Sequence, residues 1–118
     1  MIETALNELI AATPHVTGAL VASVDGLPVA HDLRTGDPDA IAAMAATTAG
    51  LSQRIAGDFD HGEFAETTVR GADGFFVVYS VGSTAVLAVI AAAEANLGRV
   101  HLNARRCAAV LVPQPQPQ

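Results

Sequence analysis

The sequence predicts an α+β domain of order α-β-β-α-β-β-β-α, a five-stranded antiparallel sheet with helices on its faces. Three observations carry this. Three segments place apolar residues at helical spacing, and each has a start or stop signal. Five β-type runs are joined by connections too short for parallel crossovers. Two of those runs are apolar on both faces, so they need cover on both sides.

In chain order, Ile2, Leu6, Leu9 and Ile10 make a short amphipathic helix over 2–12. Thr13-Pro14 stops it, because a residue before proline avoids the α region. Residues 19–24 form a buried central strand. Asp25-Gly26 turns the chain into a second strand over 27–33. Pro28 places that strand at an edge, where its missing N–H breaks no ladder bond.

Asp37-Pro38-Asp39 opens a long helix over 38–56, with a cap, a first-turn proline and acids at the positive dipole end. Gly57 is its expected end. Ile41, Met44, Thr48, Leu51 and Ile55 make one stripe at 3.6 spacing. Ala42, Ala45, Ala49, Ser52 and Ala56 make a neighbouring row, and Ala40, Ala43, Thr47 and Gly50 begin another. Alanine is the best helix former, which is one reason for such rows. The other is close approach of a second helix. No other segment suits that role, so the same helix of a second copy is the expected partner across a two-fold axis.

Residues 57–63 are a polar loop. Residues 64–70 follow as the most polar strand and therefore an edge. Gly71-Ala72-Asp73-Gly74 turns into a strand over 75–81, and Gly82-Ser83 into an apolar central strand over 84–92. Asn96 caps a last helix whose buried stripe is Leu97, Val100, Ala104, Cys107, Ala108 and Leu111. The expected domain is 1–112, followed by a disordered Pro/Gln tail over 113–118.

Composition narrows the function. Of 118 residues, 51% are hydrophobic and only 4% aromatic, so the core is built from Ala, Val, Leu and Ile. The net charge of −6, with arginine as the only cation, argues against nucleic acid and against anionic lipid. The apolar run 84–93 is about half a membrane span. Met1-Ile2-Glu3-Thr4 lacks a cationic leader, and the single Cys107 forms no internal disulfide. A cytoplasmic protein without membrane insertion is expected.

Chemistry is sparse. Without lysine there is no Walker A loop and no Schiff base. His15, His31, His61 and His101 show no i,i+4 pairing and there is no CxxC, so no metal is expected. Cys107 lies on a buried stripe and reads as packing. Asp58, Asp60, Glu63 and Glu66 lack the EF-hand pattern and read as a solvated acidic loop, or as a surface for a basic partner. Arg54 at the end of the long helix reads as a dipole partner rather than an arginine finger. No catalytic residue and no cofactor are assigned.

The order of elements, with GALVASVDGLPVAHDL, the Ala-rich helix after Asp37-Pro38, FAETTVRGADGFFVVYSVGS and TAVLAVIAAAEANLG, resembles the Roadblock/light-chain-7 domain family over residues 2–112. It is most similar to bacterial members associated with Ras-like small GTPases. The resemblance implies strand order 2-1-5-4-3, one long helix on one sheet face and two on the other. It also implies a homodimer in which third strands pair and second helices pack together. Family members act as adaptors or regulators of small GTPases or dynein, and some bacterial ones accelerate GTP hydrolysis.

The expectation is therefore a noncatalytic homodimeric regulator that binds a Ras-like small GTPase. Its dimer interface is Ala42, Ala45, Ala49, Ser52 and Ala56 on the helix, with Phe64, Glu66, Thr68 and Arg70 on the strand. The expected GTPase platform is Ala43, Ala46, Thr47, Gly50, Gln53 and Arg54. The alternatives are a GTPase-activating protein and a small-molecule sensor, the latter disfavoured by a small-residue core. Ala45→Arg or Ala49→Arg is expected to give a folded or partly folded monomer.

Overall fold

The computed structural model describes residues 1–112, so the expected tail over 113–118 lies outside the described residues. The elements are α1 (Ile2–Ala12), β1 (Val16–Ser23), β2 (Pro28–Leu33), α2 (Pro38–Asp58), β3 (Glu66–Gly71), β4 (Gly74–Val81), β5 (Ala85–Ala92) and α3 (Leu97–Leu111). One antiparallel sheet runs in the order β2-β1-β5-β4-β3. The expected fold is the observed one, with β1 and β5 inside and β2 and β3 at the edges.

Alternation along the inner strands builds two cores. Ala19, Val21, Val77, Tyr79, Leu87 and Val89 face α1 and α3, where Leu6, Leu9, Val100, Ala104 and Cys107 meet them. Leu20, Ala22, Val78, Val86 and Ala88 face α2, where Ile41, Ala42, Ala45 and Ala49 meet them. The long helix therefore lies alone on one face.

Local signals act as the sequence says. Thr13 is extended and ends α1; its buried hydroxyl donates to the Leu9 carbonyl and accepts from Asn103. Gly26 turns the first hairpin at φ +90° while packing against Ala43 and Ala46. Asp37 accepts the Asp39 N–H and Asn96 the Arg99 N–H, capping α2 and α3. Pro28 sits beside an irregularity in the β1–β2 register, on an edge.

Several boundaries differ: β1 begins at Val16, three residues before the expected 19, and β4 and β5 shift by one residue; two further differences bear on the site. Gly57 does not end α2, which runs on to Asp58; the left-handed residue after it is Asp60, at φ 55°. β3 starts at Glu66 rather than at 64, because Phe64 is drawn under α2 into the core.

A Cβ on Gly74 would come within 2.6 Å of the Ala91 carbonyl oxygen, whereas one on Gly50 would meet nothing. Gly74→Ala is expected to lower stability by about 1–3 kcal/mol. Gly50→Ala, inside a helix, is expected to raise it by about 0.5–1 kcal/mol. Urea denaturation of the two variants checks both signs.

Candidate functional site

The candidate site is the outer side of α2 with the neighbouring edge of β3. Residues advance by about 100° around a helix, and this separates three faces of α2. Ala42 and Ala45 are fully buried and Ala49 nearly so, all against this chain's own sheet. Ser52 and Ala56 continue that face half-buried, and the Ser52 hydroxyl hydrogen-bonds Thr67 of β3. This corrects the expected dimer row. Larger side chains project from the sheet at Leu20, Val78 and Val86, so the helix settles on them through its small residues.

Of the large stripe, Ile41 is buried with the alanines at the start of the helix, and the rest remains outside. Met44, Leu51 and Ile55 are each half-exposed or more, and Val69 of β3 likewise. Thr47 and Thr48 turn their hydroxyls onto the carbonyls of Ala43 and Met44, which removes polar groups from the surface. Met44, Thr47, Thr48, Val69 and Phe76 line a shallow apolar depression of about 540 Å³. Contiguous apolar surface of this kind marks an interaction site.

The charged residues of α2 held the missing signal. Asp39, Arg54 and Asp58 cluster on one side of the helix, and the side opposite them is the alanine row. Charge placement identifies the sheet-facing side; side-chain size alone does not.

The third face carries the expected platform. Ala43, Thr47, Gly50, Gln53 and Arg54 are exposed and Ala46 half-buried. Gln53 accepts the Phe64 N–H and so pins the loop that follows α2. Arg54 lies 3.8 Å from Asp58, both solvated. Ala46, Gly50 and Gln53 border an open groove of about 430 Å³ floored by Phe64 and Val86.

On the strand, Thr68 and Arg70 are exposed, and Phe64 is a core residue rather than part of the sheet joint. Glu66 turns to the opposite face, away from α2. There Arg105 of α3 holds it through two hydrogen bonds, of 2.8 and 2.9 Å. His101 Nδ1 lies 3.2 Å from the same carboxylate and 2.8 Å from the hydroxyl of buried Tyr79. The Arg105 hydrogen bond keeps the Glu66 carboxyl below the usual carboxylate range, against the effect of partial burial. Burial, with Glu66 nearby, pushes the Tyr79 phenol up. These four residues were not grouped in the sequence. The detectable part was His101 and Arg105 one turn apart on α3.

Elsewhere, Cys107 is buried and its thiol is pushed up to about 11, chiefly by desolvation, which suits packing. Asp58, Asp60 and Glu63 are exposed in and beside the loop, where His61 stacks on Phe59. Among the described residues no three potential metal ligands converge, and no helix is long and apolar enough to cross a membrane.

The Roadblock/LC7 domain family model matches residues 2–91. A Roadblock/LC7 domain from Streptomyces avermitilis superposes with a TM-score of 0.86 at 25% identity, over 92% of each chain. The gliding protein MglB of Thermus thermophilus gives 0.83 at 26% identity, over 93% of this chain and 84% of that one. MglB of Myxococcus xanthus shares the fold, with a TM-score of 0.83 at 21% identity over 91% and 88%. No curated protein matches the sequence.

Proposed function

Because this chain belongs to the Roadblock/LC7 domain family, we propose that it works as a noncatalytic homodimeric regulator, or adaptor, of a Ras-like small GTPase. The observation that carries this reading is the apolar strip of Met44, Leu51, Ile55 and Val69 beside the open edge of β3. A strip on one helix flank, next to an unpaired strand edge, is self-complementary. A second copy related by a two-fold axis covers both at once, α2 against α2 and β3 against β3. The similarity to MglB structures supports the GTPase side of the reading.

Dimerisation leaves the third face of α2 free. Ala43 and Gly50 from each copy would form a broad surface for the GTPase, small enough in side-chain volume for close approach, with the exposed Arg54 at its margin. Without lysine, this chain has no P-loop with which to hold the nucleotide itself. Its influence would come through differential affinity for the partner's two nucleotide states.

The test uses the GTPase captured from the native host, loaded with GDP or with a non-hydrolysable GTP analogue. Binding is expected to differ between the two states, and single-turnover GTP hydrolysis to be unchanged by the dimer. Equal affinity for both states would contradict a regulator. Accelerated hydrolysis would make the protein a GTPase-activating protein, and its loss in Arg54→Ala would assign the finger.

A further inference from the structure

We propose that Glu66, Arg105 and His101 form a clamp that holds the outer strand β3 in pairing register, and thereby sets how tightly two copies associate. The association half rests on the dimer reading above; the clamp itself does not.

β3 is weakly anchored by everything else. It is hydrogen-bonded on one side only, to β4, and contributes no fully buried residue. Its last four residues are exposed. An irregular loop with left-handed residues at Asp60 and Gly62 leads into it. On the α2 face, the Ser52–Thr67 hydrogen bond ties it. On the other face, Thr68 and Arg70 reach solvent and Glu66 alone meets α3. An edge strand entered from such a loop frays first unless something fixes its leading residue.

The clamp is built to do so. Glu66 opposes Tyr79 across the β3–β4 pair. The Tyr79 hydroxyl is buried and needs a partner, which His101 supplies. That bond fixes the imidazole against Glu66, while Arg105 grips both carboxylate oxygens from one helical turn further on. The Glu66 side chain is 24% exposed and Arg105 59%, so the hold comes from the two-point geometry of the pair and from the His101 bond to buried Tyr79 beside it rather than from exclusion of water.

Glu66→Gln keeps the shape and removes the charge. Two measurements follow: amide hydrogen exchange along the sheet, and the dimer dissociation constant by analytical ultracentrifugation. Exchange in β3 is expected to quicken about tenfold while β1 and β5 stay protected, and Kd to rise about tenfold. Arg105→Gln should match it, and the double variant should be no worse than either single one, because both remove the same interaction. Unchanged β3 exchange, or equal quickening in all five strands, would overturn the clamp. A monomeric wild type would remove the dimer reading and leave the clamp to be decided by exchange alone.

Discussion

Leu51→Arg is expected to abolish self-association while leaving the chain folded. Leu51 is 62% exposed and takes no part in either core, so the fold has no need of its side chain. Arginine is a good helix former and fits an exposed helix position with little strain. In the two-fold dimer the substitution acts twice. Each copy loses roughly 2 kcal/mol of apolar burial and brings a charge into a water-excluded seam. Together that is at least about 4 kcal/mol, or roughly a thousandfold in Kd. Light scattering should report 12.0 kDa, the mass of one chain, with an unchanged circular dichroism spectrum. A persisting dimer would place the interface elsewhere.

Ala45→Arg is expected to do the opposite: to destroy the fold rather than the dimer alone. From sequence, this substitution is expected to prevent dimerisation and leave a folded or partly folded monomer. The structure reverses that, because Ala45 has no exposed surface and lies in the core beneath α2 with Leu20, Val86 and Phe64. Seating a guanidinium there means burying a charge without a partner or lifting the helix off the sheet. Either costs several kcal/mol, against a total stability of about 5–15 kcal/mol for a domain. Loss of the cooperative thermal transition is the expected result, and Ala45→Leu should lower stability by about 1–3 kcal/mol through overpacking. A native-like monomer of Ala45→Arg would mean that the alanine row does not bear on the sheet.

The contrast between these two residues marks how far the sequence could be read. Strands, turns and caps were legible because each is written within a few residues: Asp25-Gly26, Asp37-Pro38-Asp39 and Asn96 act where they stand. The central positions of β1 and β5 followed from their apolar runs. The orientation of α2 was misread because its small residues were assigned to the partner, when sheet side chains such as Leu20 and Val86 supply the bulk on which those residues seat. Gly57 as a stop and Phe64 as a strand residue failed for a related reason, since tertiary packing decides where an element ends. Glu66 and Arg105 stand 39 positions apart, and no local pattern joins them.

The proposed dimer stands or falls on the outer stripe of α2 as the interface between copies. Mixing isotopically labelled with unlabelled chains and recording intermolecular nuclear Overhauser effects tests this most directly. Contacts between copies are expected at the Met44, Leu51, Ile55 and Val69 methyls. Their confinement to α1 and α3, or their absence throughout, would contradict it.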